Sequence, residues 1–239
     1  MEPNEYALMN EAEARMWWYR ALHARLLDAL GSEPDAPPIL DAGCGTGGFL
    51  RVLDNMRPSW EAFGLEWHEP AVRIAAAKTH RSVARGSINE LPFARRAFGT
   101  VVVADVLCHA AVEPPRALAE IGRVLRPGGR LIVNMPAFRS LMSAHDARVH
   151  NARRMNARET RTMLEDAGFH VRHLRYWNSL LLPLMIAQRK ILARSSRRSD
   201  VAAFPPWLDR ILHGVTEFER RLPLSFPAGG SVLAIAERP

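Results

Sequence analysis

The sequence predicts an α/β fold in which a mostly parallel sheet carries helices on both faces. Three observations support this prediction. Short apolar strand patterns alternate with helical patterns along most of the chain. A glycine-rich turn joins the first strand pattern directly to a helix. The chain has 239 residues, of which 48% are hydrophobic, and this is enough to bury a substantial core.

The patterns follow one another in a regular order. Apolar residues at helical spacing predict an N-terminal helix within residues 5–30, and Gly31 marks its end. Later helices are predicted from residue 69, from residue 114 and over residues 156–167, and proline begins the first two of these. Strand patterns lie at residues 39–40, 63–65, 82–85, 100–104, 131–134, 171–177 and 231–236.

We expect one domain over residues 1–239, because no repeat or low-complexity linker divides the chain. Residues 1–31 form a predicted N-terminal cap helix, and residues 32–177 form the core. Residues 178–229 interrupt the alternation before the last strand at 230–239. We interpret this interruption as an insertion that, with the N-terminal helix, covers a ligand cleft.

Cysteine content and the N-terminal sequence favour a soluble protein of the reducing cytoplasm. Only Cys44 and Cys108 are present, and a chain of this size needs no disulfide. Residues 1–13 are acidic and lack the apolar segment of a signal peptide. The longest apolar stretch, Leu180 to Ala187, contains Pro183 and is too short to span a bilayer.

The net charge of +7 is unevenly distributed along the chain. Residues 139–198 contain thirteen Lys and Arg but four Asp and Glu, a net charge of +9, so the remaining residues carry −2. The predicted core is therefore not basic. The excess charge indicates an acidic ligand or surface on the later half of the chain. No Cys and His spacing is typical of zinc, and we expect no metal.

The glycine-rich turn covers residues 41–48, Asp-Ala-Gly-Cys-Gly-Thr-Gly-Gly, between a strand and a helix. Glycines allow a ligand to approach the backbone, and the helix start offers unpaired N–H groups. The turn also fits the dinucleotide pattern GxGxxG, so by itself it is ambiguous. Asp41 would repel a pyrophosphate but suits a cationic amino-acid ligand. Glu66 ends the second strand, where a carboxylate can accept hydrogen bonds from ribose hydroxyls.

Five segments in order resemble class I S-adenosylmethionine (SAM)-dependent methyltransferases, in particular the methyltransferase type 11-like subgroup. The similarity covers residues 39–136 and is looser in the final strands. The segments are residues 39–47 (ILDAGCGTG), 65–66 (LE), 86–93 (GSINELPF), 105–109 (DVLCH) and 125–131 (LRPGGRL).

The resemblance implies a Rossmann-like, seven-stranded sheet with an antiparallel last strand, and SAM as the cofactor. It places the methionyl part of SAM near Gly43 and Gly45, the ribose on Glu66 and the adenine beside Trp67. The family often has Asp where this chain has Ser87, which weakens one acceptor for the adenine amino group. The full set of implied cofactor residues is Asp41, Gly43, Cys44, Gly45, Gly47, Glu66, Trp67, Ser87, Ile88, Asp105 and Val106.

Three histidines are candidate general bases for an acceptor that must lose a proton. His109 follows the fourth strand, and His145 and His150 lie in a stretch that resembles a His-Asp…His…Arg-Arg segment of the subgroup. Arg153 and Arg154 end that stretch and could bind an acidic acceptor. Met155 stands where the subgroup often has tyrosine. Packing or a solvated surface loop would explain the same residues.

The N-terminal run Trp17-Trp18-Tyr19-Arg20 also matches the subgroup, and Tyr19, Arg20 or Arg25 could reach the carboxylate of SAM. Packing is the alternative interpretation of this run.

We expect a small-molecule methyl acceptor, acidic or amphipathic. An rRNA or tRNA methyltransferase is a weaker prediction, because the Asp/Asn-Pro-Pro-aromatic signature of base-amino methyltransferases is absent after the fourth strand. A lipid-like acceptor at a membrane surface is a further alternative, since Leu180 to Arg198 joins an apolar run to a basic run. A non-catalytic SAM-binding partner subunit is another. The sequence carries no signal for an oligomeric state.

Overall fold

The computed structural model describes residues 3–32, 38–187 and 204–239, and these form a single seven-stranded sheet with helices around it. The sheet order is β3-β2-β1-β4-β5-β7-β6, with β7 antiparallel to both of its neighbours. The predicted fold class is confirmed. The strands are β1 (Ile39–Ala42), β2 (Ala62–Glu66), β3 (Ser82–Arg85), β4 (Phe98–Ala104), β5 (Leu125–Pro136), β6 (His170–Trp177) and β7 (Ser231–Glu237).

The predicted helices after the glycine turn, from residue 69, from residue 114 and over residues 156–167 are present, and among the predicted helices there is one exception, at the N-terminus. The helices at residues 144–148, 182–187 and 206–221 were not predicted. The helices of the described residues are α1 (Pro3–Ala12), α2 (Trp17–Leu30), α3 (Gly48–Met56), α4 (Glu69–Lys78), α5 (Pro114–Val124), α6 (Ala144–Arg148), α7 (Ala157–Asp166), α8 (Leu182–Ala187) and α9 (Pro206–Arg221). Asn156 caps α7, since its side chain accepts a hydrogen bond from the Glu159 amide and Glu159 returns one.

The exception is the predicted continuous helix within residues 5–30, which is wrong: the chain forms two helices, α1 and α2. The helix α2 begins at Trp17 because the Trp17 amide donates to Asp209 Oδ1 at 2.7 Å. Asp209 lies in α9, so a carboxylate far away in sequence caps this helix start. A pattern of apolar residues cannot reveal such a break.

The sheet order brings one group of loops to a common edge. The chain runs outward from β1 through β2 to β3, and then returns to place β4 on the other side of β1. Ligands of open α/β sheets bind at this reversal of strand order, at the carboxyl ends of the strands. Asp41, Glu66 and Asp105 end or follow β1, β2 and β4, so all three lie at this edge.

Buried apolar residues form a core on each face of the sheet. One contains Leu118, Ile121 and Leu164 from α5 and α7, and the other contains Leu22 and Leu26 from α2 together with α3 residues. Between these layers the middle of β4 is fully buried. Both cysteines are free and buried.

The insertion before β7 packs on α2 through α9. Leu212 of α9 joins Trp17 and Leu181 in a small third core. Glu219 lies 3.7 Å from the Arg25 guanidinium, and both side chains are buried. The rest of the predicted cap segment, residues 188–203, lies outside the described residues. No described helix is long and apolar enough to cross a membrane.

Candidate functional site

The glycine turn follows β1 and has a backbone that other residues rarely adopt. Gly43, Gly45 and Gly47 all have positive φ, of 93°, 54° and 84°. A Cβ atom on Gly43 would lie 2.3 Å from Val106 Cγ2, so the loop after β4 presses directly on the turn. The amides of Gly43 and Cys44 donate to the Leu65 carbonyl, so the turn is held against the end of β2.

Glu66 is held at the carboxyl end of β2 by backbone donors. The Gly45 amide donates to Oε2 at 3.0 Å, and the His68 amide donates to Oε1 at 2.9 Å. The Tyr6 hydroxyl also donates to Oε1, at 3.3 Å. This carboxylate is thus oriented by the turn and accepts a hydroxyl, the kind of donor that a ribose offers.

The helix α1 lies along the glycine turn. The Tyr6 ring stacks on His68 with a centroid separation of 4.3 Å. A Cβ atom on Gly45 would lie 2.7 Å from Met9 Cε, so Met9 covers that glycine. Glu13 lies against Gly48 at the start of α3 and pairs with Lys78. The predicted cover over the turn therefore comes from α1, whereas α9 packs on α2.

Buried carboxylates crowd together beneath the turn. Asp41 is 3% exposed. Burial and, to a lesser extent, the nearby charges of Glu66 and Glu13 raise the pKa of Asp41 to about 7. Burial also raises the pKa of Glu13, against the lowering effect of Lys78. This part of the cleft is short of positive charge, and a cationic ligand would relieve it.

The remaining predicted cofactor residues surround this centre. Cys44 is buried in the core under the turn, where only its backbone can face a ligand. Trp67 follows Glu66 and is largely exposed. The Ser87 hydroxyl accepts a hydrogen bond from the Asn89 amide, and Ile88 is buried beside it.

Asp105 stands at the end of β4 with a positive φ of 54°. The Asn134 amide group donates to its Oδ1 at 2.9 Å, and Trp177 Nε1 in turn donates to Asn134 Oδ1 at 2.7 Å. Burial raises the pKa of Asp105 to about 7, although the Asn134 bond and Arg154 act in the opposite direction. This chain of hydrogen bonds fixes the orientation of Asp105 from three different strands or strand ends.

The two predicted groups of catalytic candidates lie on joined loops. The Ala110 amide donates to the His150 carbonyl at 2.9 Å, and the Ala152 amide donates to the Cys108 carbonyl at 2.9 Å. Arg153 Nη1 donates to the His109 carbonyl at 2.6 Å. His109 is therefore held against the segment that carries His145, His150 and Arg153. Burial lowers the pKa of His109 to about 4, so the ring is neutral at pH 7.

The structure does not support a direct acceptor contact for Arg154. This guanidinium is buried and donates to both Asp146 oxygens, at 2.9 and 3.1 Å, and to the Ala137 carbonyl. Its hydrogen-bond donors are used to hold the loop after β5 in shape. Of the arginine pair, Arg153 is the half-buried member that remains near the cleft loops.

The structure gives different positions to the three residues of α2 for which a contact with the carboxylate of SAM was predicted. Arg20 donates to Asp209 at 2.7 Å, and Arg25 donates to the Thr216 carbonyl at 2.9 Å, so both point into the packing of α2 on α9. The suggestion that either reaches a cofactor carboxylate is therefore wrong. The Tyr19 ring packs near Trp18 and His23, and the pKa of Tyr19 is raised by burial and then by the charges of Glu13 and Asp105.

Sequence reasoning missed Tyr6, Glu13, Asn134 and Asp146. Tyr6 and Glu13 lie in a weakly amphipathic helix with no recognisable motif. Asn134 is a polar residue in an otherwise apolar strand pattern, and that signal could have identified it, because a buried polar side chain needs a partner. Asp146 was visible only as part of a longer polar stretch.

Comparison with known proteins agrees with this geometry. Residues 40–133 match a family model described as a methyltransferase domain. A Streptomyces fradiae protein from transposon Tn4556 is 30% identical over 219 residues, which are 82% of this chain and 63% of the relative. A Mycolicibacterium smegmatis protein named as an S-adenosylmethionine-dependent methyltransferase is 30% identical over 164 residues, covering 67% of this chain and 62% of the relative. The chain thus spans about three fifths of the length of these relatives.

A solved structure supports the fold along nearly the whole chain. It is a complex between the Haloferax volcanii Trm112 methyltransferase activator and its methyltransferase partner, with a TM-score of 0.65 and 21% identity. The match covers 99% of this chain and 95% of that chain. At this identity the similarity establishes the fold alone.

Proposed function

We propose, on the premise that the chain belongs to the class I SAM-dependent methyltransferase family, that it methylates a small acidic or amphipathic molecule. The acceptor atom is an oxygen, nitrogen or carbon nucleophile. When bound, SAM supplies a methyl group on a sulfonium that is already a good leaving group. The protein then has to bind both molecules in line and, where necessary, to take a proton.

The excess of buried carboxylates at the glycine turn is the observation that carries this proposal. Asp41 and Glu66 lie beneath and beside the turn, and burial together with the charges of Glu66 and Glu13 raises the pKa of Asp41. SAM carries a sulfonium and an ammonium group, which such a site favours. A dinucleotide would instead bring a pyrophosphate toward the same carboxylates, at an electrostatic cost. The charge of the site thus supports SAM over a nicotinamide cofactor.

The residues around the turn fit the parts of this cofactor. The Thr46 side chain is fully buried, and its hydrogen bond to Glu13 lowers the pKa of that carboxyl against the larger effect of burial. Glu66 would exchange the Tyr6 hydroxyl for ribose hydroxyls, and Trp67, Ser87 and Ile88 would border the adenine. The backbone of Gly43 and Gly45 would face the methionyl part. Cofactor entry therefore requires α1 to move from the turn.

The joined loops after β4 and β5 would form the acceptor side. His109 is neutral at pH 7 and is our leading general base, with His145 and His150 as alternatives on the adjoining loop. Arg153 would pair with an acidic acceptor. Tyr19 would border the acceptor from α2.

The direct test is transfer of a radiolabelled methyl group from SAM to panels of small carboxylic acids, small phosphorylated compounds, amphipathic acids and total tRNA. We expect label in a small acidic or amphipathic compound and none in tRNA. Transfer to tRNA alone would establish the nucleic-acid alternative. SAM binding without transfer to any panel would favour the partner-subunit alternative, and binding of NAD instead of SAM would refute the cofactor assignment.

The role of His109 can be tested with the acceptor found in this way. We expect His109→Asn to lower kcat by about a hundredfold, the usual contribution of a general base, and to leave the Kd for SAM unchanged. His170→Asn is a matched control, because His170 is exposed at the start of β6, at the edge of the sheet. Equal activity of both variants would show that His109 serves packing.

A further inference from the structure

The helix α9 has two faces of different character. Leu212, Thr216 and Glu219 are buried against α2 and the start of α8. On the opposite side Trp207, Ile211 and Phe218 are 62%, 54% and 61% exposed. At 3.6 residues per turn these three side chains fall within about 40° around the helix axis and span about 16 Å along it. We call them the α9 apolar stripe.

The stripe is open along its length. Gly214 occupies the position between Ile211 and Phe218, and no atom lies within 4 Å of where its Cβ would be. Leu224, just beyond the helix, is 62% exposed as well. Single exposed apolar residues are normal on protein surfaces, but an aligned Trp, Ile and Phe form a contiguous patch of the kind that marks an interaction surface.

The charges of α9 are sorted between its two faces. Its acids are all engaged within the molecule: Asp209 with Arg20, Glu217 with Arg220, and Glu219 with Arg25. The exposed charges near the stripe are cationic. Arg210 is exposed one turn after Trp207, and the Arg221 side chain is 77% exposed one turn after Phe218. The outward surface therefore carries Arg210 beside the first turn of the stripe and Arg221 beyond its last residue, where Arg221 lies 4.0 Å from Glu217.

The chain that leads into α9 has the same two properties. Leu180, two residues before α8, and Leu184, within α8, are 40% and 54% exposed. Residues 188–203 lie outside the described part of the structure, but their sequence joins α8 to α9. That sequence has one acidic residue, Asp200, and five basic residues, Arg189, Lys190, Arg194, Arg197 and Arg198.

We propose that the α9 apolar stripe and its flanking arginines bind the surface of an anionic lipid bilayer. Trp, Ile and Phe would enter the boundary between headgroups and acyl chains, and Arg210 and Arg221 would pair with lipid phosphates.

A second copy of the chain is a poorer occupant. Antiparallel pairing of two α9 stripes would bring Arg210 of one copy toward Arg221 of the other, and like charges would oppose each other at both ends. The acids that could compensate already have partners: Asp209 and Glu219 pair with arginines of α2, and Glu217 pairs with Arg220 and Arg221. Anionic phosphates, by contrast, complement the flanking arginines.

Vesicle co-sedimentation tests the proposal without cofactor or acceptor, so its outcome is independent of the proposed methyl transfer. We expect the protein to sediment with phosphatidylcholine vesicles that contain about one third phosphatidylglycerol. Binding to pure phosphatidylcholine should be at least about tenfold weaker. The triple variant Trp207→Ser, Ile211→Ser, Phe218→Ser should lose at least about tenfold in affinity for the anionic vesicles.

Two further variants separate charge from apolar contact. Arg210→Gln with Arg221→Gln should weaken anionic binding by about fivefold or more and reduce its salt dependence. Met56→Ser is the matched control, because Met56 is 56% exposed at the end of α3, away from the stripe. We expect it to bind as the unmodified protein does.

Several results would overturn the proposal. Absence of binding of the unmodified protein to anionic vesicles is one. Equal vesicle binding by the triple variant and by Met56→Ser is another. Light scattering that shows a dimer, converted to a monomer by the triple variant with vesicle binding unchanged, would assign the stripe to self-association instead.

Discussion

Two buried aspartates at this end of the molecule have opposite surroundings. Asp146 is 1% exposed and receives hydrogen bonds from Arg154, Ser143 and Asn151, which hold its pKa below the usual range. Asp41 is 3% exposed, and burial and two neighbouring carboxylates raise its pKa to about 7.

Asp146 is balanced by its own protein, so it stabilises a loop. Asp41 is left without a cation in the free protein, and this is the condition of a site prepared for a positively charged ligand. The comparison separates a structural carboxylate from a functional one, although both lie deep in the same fold.

The largest expected effect concerns the balanced aspartate. Arg154→Met leaves Asp146 buried without its cation, and we expect the free energy of unfolding to fall by about 3–5 kcal/mol. Chemical denaturation measures this. Arg161→Gln removes an exposed pair with Glu165 and should cost less than about 1 kcal/mol. Similar losses for the two variants would contradict the structural role of Asp146.

Glu66 belongs to the unbalanced group, and its charge is expected to matter for ligand binding. Glu66→Gln keeps the shape but weakens the hydrogen bonds to ribose hydroxyls, so the Kd for SAM should rise by about 10- to 100-fold. Isothermal titration calorimetry measures this change. Glu69→Gln is the control, because Glu69 is an exposed acid that pairs with Arg73 and Arg85. If Glu66→Gln and Glu69→Gln changed the Kd for SAM by the same small factor, Glu66 would not be part of the cofactor site.

The ionised form of Asp41 is expected to lower the free energy of unfolding of the free protein. The folded protein raises its pKa above the unfolded value, so ionisation destabilises the fold as the pH rises through about 4 to 7. Asp41→Asn should therefore stabilise the free protein by about 2 kcal/mol at pH 8 and by nothing near pH 4. Asp54→Asn should do the reverse, because Arg81 and Thr79 stabilise the Asp54 carboxylate. If Asp41→Asn did not raise the free energy of unfolding at pH 8, the result would contradict the charge imbalance at Asp41.

The smallest expected effect concerns Tyr6, whose hydroxyl is hydrogen-bonded to Glu66 in the free protein. Tyr6→Phe removes a hydrogen bond that SAM must replace, so the Kd for SAM should fall by about two- to fivefold. Calorimetry again measures the change, and Tyr176→Phe, which loses a hydroxyl bonded to the Ala157 amide, is the control. Weaker SAM binding by Tyr6→Phe would mean that Tyr6 contacts the bound cofactor rather than competing with it.

The sequence alone predicts the fold and the centre of the site, because both depend on local chemistry. Alternating strand and helix patterns give the sheet, and the glycines of the turn and Glu66 occupy positions set by the ends of β1 and β2. The partners that balance or cover the site are not predictable in this way. Asp209 caps α2 from 192 residues away, and Tyr6 reaches Glu66 across 60 residues. The pairing of Arg154 with Asp146 depends on a chain reversal in which His150 adopts a positive φ.

The dependence of SAM affinity on pH tests the central claim most directly. If SAM binds the protein better when Asp41 is ionised, the affinity for SAM should rise by about tenfold between pH 6 and pH 8. Binding near pH 6 should then release a proton from Asp41. In Asp41→Asn this rise should be strongly reduced and the affinity at pH 8 should be lower. The same pH dependence in both proteins, or stronger SAM binding at pH 6 than at pH 8, would contradict the account.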